Sequence, residues 1–188
     1  MPARKLTAQL KINQSILWLL MSEQIGVMTR LKFLLAEKLF HSSVLRHSRL
    51  RHQWVMRLFK ASANEGHLKA LSVYGHLLYF RGISPLDKGQ GINYLLDAAR
   101  QGDVKAQYQM GCIYEKGYGH LQRNSEQAVR WFVRAAEQGH PLACRRMAKA
   151  CTEGELGLAI NPDQSEYWER KTRHSLEKAN GMNLSLNL

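Results

Sequence analysis

His140 and Cys144 stand four residues apart, the spacing that brings two side chains to one side of a helix, and a thiol beside an imidazole is the pairing nucleophilic catalysis needs. The same stretch argues against that chemistry. Pro141 follows His140 directly and marks the start of a helix, while Cys144 adjoins Ala143, a position that recurs as a packing residue along the chain. A triad would also need an orienting group converging on the pair. The other cysteines, Cys112 and Cys151, are too few and too irregular for a disulfide framework. On one helix, Cys144 and Cys151 would sit about 10 Å apart, beyond the reach of a bridge. Free thiols in a reducing compartment are the plain reading, with a Cys112 pairing across helices left open.

The remaining chemistry-bearing residues are no more convergent. His41, His47 and His52 lack zinc-site spacing and thiolate support, and His67 and His76 stand alone. Glu153 and Glu155 form a carboxylate pair inside a polar loop, without a cleft to place a scissile bond between them. Gly117-Tyr118-Gly119 is neither a complete phosphate-binding fingerprint nor preceded by a strand, so a tight turn between helices explains it better. The sequence therefore predicts a protein without catalytic residues, metal or small-molecule cofactor.

What positions these residues is a repeat. Ala63-Asn64-Glu65-Gly66-His67-Leu68-Lys69-Ala70 aligns with the strings that begin at Ala99 and Ala136, and the glycines Gly66, Gly102 and Gly139 fall 36 and 37 residues apart. Gly75, Gly111 and Ala148 share one register, and Leu58, Tyr94, Trp131 and Trp168 share another. Each unit reads as two helices with one apolar face apiece: Ile92, Leu95, Leu96 and Ala99 on one, Ala106, Met110, Ile113 and Tyr114 on the next. Glycine inside a helix costs about 0.5–1 kcal/mol relative to alanine, so its repetition signals close approach between crossing helices. The expectation is that the large residues of the second register fill the groove beside the small ones. Gly66, Gly102 and Gly139 are expected in left-handed conformation just past helix ends. Asn124 or Ser125 should cap a helix, and Pro162 should open the last one, read as reaching Lys178.

The chain of 188 residues is 45% hydrophobic and 22% charged, the balance of a folded domain of ordinary size. Its net charge of +12 is uneven: residues 1–60 carry eleven basic residues against two acidic ones, and the rest carries sixteen against thirteen, so basicity belongs to the amino-terminal third. That region reads as two helices, 6–24 and 28–47, interrupted at Gly26. The second presents Leu31, Leu34, Leu35 and Leu39 along one face, with Arg30, Lys32, Lys38 and Arg46 elsewhere, and Arg49 and Arg51 continue the basic run. Two uses stay open: a cap over the apolar end of the first repeat, or contact with an anionic membrane surface or an acidic partner. The basic residues have no base-reading module beside them, which argues against specific nucleic-acid binding. The apolar run Ile16 to Met21 is too short to span a bilayer, and no small-residue cleavage site follows it. The expected location is cytoplasmic, with peripheral attachment at an inner membrane as the alternative.

The register resembles the Sel-one-like repeat family, relatives of tetratricopeptide repeats. The resemblance rests on Ala106, Tyr108, Met110, Gly111 and Tyr114, then Gly117 and Gly119, then Ala128, Trp131, Ala135, Ala136, Gly139 and Ala143. It is strongest over residues 89–148. Departures are Gly82-Ile83 in place of a doubled glycine, and Ala148 where glycine is usual. The resemblance implies an all-α fold, a right-handed α-α superhelix of tetratricopeptide-like hairpins over residues 50–179, with a basic extension over 1–49 and a flexible tail over 180–188. It also implies an adaptor or scaffold without a shared catalytic residue, mostly bacterial in forms this short. The implied binding surface is the concave face built from the first helix of each unit. On it Lys69, Ser72, Tyr79, Gln107, Tyr108, Arg145, Arg146 and Lys149 are the expected contacts for an unidentified protein or peptide. The competing expectation is an accessory subunit of a membrane-associated enzyme complex.

Overall fold

The computed structural model describes residues 26–41, 49–119 and 121–185. The helix expected over 6–24, the contact expected from Arg46 and the last residues of the tail lie outside them. Among the described residues the regular elements are all helices: α1 (26–41), α2 (Arg49–Asn64), α3 (Leu68–Arg81), α4 (Pro85–Arg100), α5 (Val104–Lys116), α6 (Ser125–Glu137), α7 (Pro141–Glu153) and α8 (Pro162–Ser185). The chain divides into two compact units, Met1–Ala70 and Leu71–Leu188.

In the second unit each helix from α5 to α8 packs on its predecessor. The junctions show how sequence sets this succession. Gly102 (φ 96°) and Gly139 (φ 83°) take the left-handed turn that ends α4 and α6. The very next residue then caps the following helix. Asp103 Oδ1 accepts from the Ala106 amide at 2.7 Å, and His140 Nδ1 accepts from the Ala143 amide at 3.3 Å. Ser84 and Asp87 form a reciprocal capping box at the start of α4, and Asn124 caps α6. Pro162 opens α8, which runs past its expected end at Lys178 because no proline interrupts it before Ser185.

The small residues do the work the repeat implied. A Cβ on Gly91 would lie 2.6 Å from the Tyr79 backbone nitrogen, and one on Gly75 would lie 2.9 Å from the Leu95 nitrogen, so α3 and α4 touch backbone to backbone. At Gly111 the facing group is the Phe132 ring, 2.5 Å from such a Cβ. This corrects the expectation for the large residues. The filler is the residue after the register position, Phe132 instead of Trp131 and Leu95 instead of Tyr94. One residue turns a helical side chain through about 100°, so the neighbouring position faces the glycine. Trp131 and Trp168 are buried, and their indole N–H groups have no hydrogen-bond partner among the described residues, contrary to the expectation that an indole satisfies its polar atom at the edge. Each such group costs about 1–3 kcal/mol, comparable to what burying a large side chain contributes. Arg134, 4.9 Å from the Trp131 ring centre, and Lys171, 5.5 Å from that of Trp168, supply cation–π attraction.

In the first unit α1 packs on α2. Phe33 and Phe40 lie 5.8 and 6.3 Å from the Phe59 ring, and Phe33 stacks on His67 at 4.6 Å. Ser62 donates to the Thr29 carbonyl, while Glu65 accepts from Thr29 and pairs with Lys32. The buried face is therefore Thr29, Phe33 and Ala36. The leucine face is not the one that packs on α2: Leu31, Leu34 and Leu35 remain 54%, 49% and 52% exposed. Counting leucines misses that one phenylalanine stacked between two aromatic partners decides the orientation.

Candidate functional site

One face of α3, α5 and α7 carries three rows of side chains in repeat register. Ser72, Tyr108 and Arg145 form the first, His76, Cys112 and Lys149 the second, Tyr79, Glu115 and Thr152 the third. The rows follow from the 36- and 37-residue spacing, which returns each position to the same place on successive helices.

Much of this face is tied to itself. Ser72 donates to Asp103 at 2.8 Å, reaching the residue that caps α5. Tyr108 stacks on His140, the α7 cap, at 4.5 Å and 18°. Burial first, then Cys112, pushes the Tyr108 phenol up to about 12, so it stays a neutral group. Tyr79 meets Tyr118 edge-on at 5.6 Å. Arg146 lies between Glu115 (2.6 Å) and Glu155 (2.7 Å), and Lys149 reaches Glu153 and Glu155 at 3.4 Å. Against partial burial, Arg146 and Lys149 hold the Glu155 carboxyl below its usual range. Gln107, expected as a contact, is buried; its amide donates to the Ala99 carbonyl and accepts from Gln138. Lys69 is exposed in the first turn of α3. Of the expected cations on this face, Lys69 and Arg145 are exposed and have no ion pair among the described residues.

At the end of the face, α7 and α8 enclose an open groove of about 400 Å³, lined by Arg145, Lys149, Thr152, Glu169, Thr172 and Arg173. Its origin lies in the repeat. Glu169, Thr172 and Arg173 occupy the positions that Phe132, Ala135 and Ala136 hold one unit earlier, where all three are fully buried. The last hairpin thus replaces a gap-filling ring and two packing alanines by charged and polar groups. Sequence reading missed these three residues because it compared aromatic positions and not the positions one, four and five residues beyond them.

The Cys144 thiol donates to the Ala136 carbonyl at 3.4 Å and is pushed up by burial, while His140 Nδ1 is occupied by the Ala143 amide, so the two do not form a nucleophile–base pair. Cys112, Cys144 and Cys151 are free, which closes the pairing left open for Cys112. Among the basic residues of the first unit, Arg30 and Lys38 are exposed, Lys32 is bound to Glu65, and Arg49 and Arg51 lie at the start of α2. No helix among the described residues is long and apolar enough to cross a membrane.

Paired helices, left-handed glycines between successive units and interaction faces in fixed register define a helical-repeat protein of the α-solenoid class. Residues 68–103, 104–140 and 141–171 match the Sel1 repeat, and the chain belongs to the Sel1 repeat family. Its fold is similar to that of a Sel1 repeat protein from Oxalobacter formigenes (25% identity, TM-score 0.58, covering 71% of this chain and 95% of that one). It is also similar to a protective antigen of uropathogenic Escherichia coli that displays an SLR fold (25%, TM-score 0.68, 81% and 32%). These likenesses bear out the all-α superhelix. By sequence the chain is 36% identical over 90 residues to DAP3-binding cell death enhancer 1 of Mus musculus, covering 48% of this chain and 17% of that protein. It is 32% identical over 94 residues to chitin synthase regulatory factor 3 of Schizosaccharomyces pombe, covering 50% and 10%. The chain therefore spans less than a fifth of either relative.

Proposed function

We propose that this chain is a non-catalytic adaptor that holds a protein or peptide segment along the face of α3, α5 and α7, with the α7–α8 groove as its anchor point. The observation that carries the reading is the groove: the last hairpin exchanges a buried ring and two alanines for Glu169, Thr172 and Arg173, beside the exposed Arg145. A groove with Arg145 and Arg173 suits a segment bearing a carboxylate. The names of the two relatives, a binder and a regulatory factor, agree with a binding role.

The test uses the full chain as bait in lysate, wild type against Arg145→Glu/Arg173→Glu. A specific protein retained by the wild type should fall by about tenfold or more with the variant, a loss of about 1.4 kcal/mol or more. Circular dichroism should stay unchanged. Equal retention would move binding off this groove.

The match to a chitin synthase regulatory factor favours a second reading, an accessory subunit of a membrane-associated enzyme complex in which Arg30 and Lys38 contact anionic lipid. It predicts co-sedimentation with vesicles of anionic lipid that Arg30→Glu/Lys38→Glu abolishes.

A further inference from the structure

The connections within the helix pairs differ in length and in what becomes of their apolar side chains. Eight residues join α5 to α6 (117–124) and eight join α7 to α8 (154–161). There Leu121 and Leu158 are half-buried, Leu156 is buried, and Ile160 lies against Gly154. Three residues, Gly82, Ile83 and Ser84, join α3 to α4. This turn is closed tightly: a Cβ on Gly82 would lie 2.7 Å from the Asp87 side chain, so the chain has no slack to fold Ile83 inward. Ile83 is 98% exposed.

Two more apolar side chains stand at the same end of the hairpin. Phe80, in the last turn of α3, is 53% exposed, and Leu86, the second residue of α4, is 71% exposed. The second residue of α6 is Glu126 and that of α8 is Asp163, acids that the positive end of a helix favours. α4 carries an exposed leucine there instead. Backbone contact between α3 and α4 at Gly75 and Gly91 keeps the two helices close, so Phe80, Ile83 and Leu86 form one projecting tip. Aromatic rings and cations adjoin it. The Tyr79 ring centre lies 4.8 Å from that of Phe80 and 5.6 Å from that of Tyr118, and Lys88 lies 6.0 Å from the Tyr118 ring centre. Residues 80–88 hold two cations, the exposed Arg81 and Lys88, against one acid, Asp87, whose carboxylate accepts from the amide and hydroxyl of Ser84. Apolar side chains in front of tyrosines and long cations suit a bilayer surface: the carbon groups reach the acyl boundary while rings and charges stay at the headgroups.

We infer that the α3–α4 turn inserts Phe80, Ile83 and Leu86 into an anionic lipid surface and is held there by Arg81 and Lys88. Other residues make this site than make the α1 contact considered above, and it does not depend on that contact. A protein partner fits less well: a stable interface covers about 800 Å² on each side, and the largest of these three side chains supplies about 150–250 Å². A second copy would set Arg81 and Lys88 against their own counterparts, because a twofold contact pairs a patch with itself.

The test sediments the full chain with vesicles of phosphatidylserine and phosphatidylcholine in equal parts. The wild type should partition onto them about tenfold more strongly than Ile83→Ser/Leu86→Ser, and about tenfold more strongly than onto phosphatidylcholine alone. Both replaced side chains are exposed, so circular dichroism should stay unchanged. A polarity-sensitive dye on Ile83→Cys, combined with Cys112→Ser so that the remaining native thiols are the buried Cys144 and Cys151, should shift its emission to the blue with the anionic vesicles. The same dye on Arg130→Cys of α6 should not. Arg30→Glu/Lys38→Glu should leave the shift at residue 83 in place, so failure of the α1 contact and failure of this one are told apart. Four results overturn the inference: vesicle binding by Ile83→Ser/Leu86→Ser equal to wild type, no shift at residue 83, a shift that Arg30→Glu/Lys38→Glu abolishes, or equal binding to neutral vesicles. Self-association without lipid that Ile83→Ser/Leu86→Ser abolishes would assign the tip to a second copy. Loss of a retained protein in that variant, with vesicle binding unchanged, would assign it to a protein partner; either overturns the inference as well.

Discussion

The first described hairpin and the last solve the same problem in opposite ways. Both lie at the limits of the described helices, where among the described residues no further helix covers the outer face. On α8 the positions of Phe132, Ala135 and Ala136 have become Glu169, Thr172 and Arg173, so the face is finished by water. On α1 the corresponding outer side is still leucine and methionine. A polar end is complete in itself and free to meet a partner; an apolar end is not. Burying apolar area contributes roughly 25 cal/mol per Å², so an uncovered stripe of five large side chains forgoes several kcal/mol.

The comparison can be broken most readily at Phe33. Phe33→Ala removes the ring that stacks on His67 and meets Phe59, and should destabilise the α1–α2 hairpin by about 3–5 kcal/mol in denaturant unfolding. Leu176→Ala, on the exposed side of α8, should stay within about 0.5 kcal/mol of wild type. Equal effects would mean that the two hairpins do not differ as described.

The inner hairpins set the scale between these extremes. Gly91→Ala drives a methyl against the Tyr79 backbone and should cost about 1–3 kcal/mol, whereas the nearest atoms to a methyl at Gly111 belong to the Phe132 side chain, so Gly111→Ala should cost less. Thermal melts of the two variants test that order.

Glu169→Phe restores the inner pattern in the last hairpin. It should fill the groove beside Ala148, raise stability by up to about 1 kcal/mol and reduce partner retention. Unchanged retention would show that the polar exchange finishes the end and does nothing more.

The smallest effect is a shared dependence on pH. Burial, then nearby cations, holds the imidazoles of His67 and His140 below their usual value, and in each the Nδ1 accepts a helix amide. A depressed folded value means that the stabilising contribution is complete above the unfolded value near 6.5 and is lost as pH falls through the folded value. Stability should therefore decline as pH drops from about 7 to 5, and His67→Asn/His140→Asn, which keeps a capping side chain, should flatten that decline.

Where the chain repeats itself, its structure was legible beforehand. The glycines at 66, 102 and 139 and the close crossings at Gly75 and Gly111 follow from residues returning at fixed spacing, and of the two cap candidates Asn124 and Ser125 the structure takes Asn124. The reading failed where it needed the rotation of a single helix. Trp131 and Tyr94 were aligned as fillers because they are large, but side-chain direction gives that role to Phe132 and Leu95. The same limit hid the groove, since Glu169 is informative only once Phe132 is known to be the filler. In α1 nothing repeats strongly enough to fix the phase, and the four leucines Leu31, Leu34, Leu35 and Leu39 outvoted the buried Thr29, Phe33 and Ala36. The candidate contacts were chosen by exposure on a helix, so the pairing of Arg146 and Lys149 with Glu155, which depends on the α7–α8 loop, was not visible.

Photo-crosslinking tests the binding account most directly. A benzoylphenylalanine placed at Arg145 or Arg173 should form an adduct with a single protein species, and one placed at Arg130, paired with Glu126 on α6 and away from the groove, should not. Adducts of equal yield at Arg130, or adducts there alone, would contradict the assignment of the binding face.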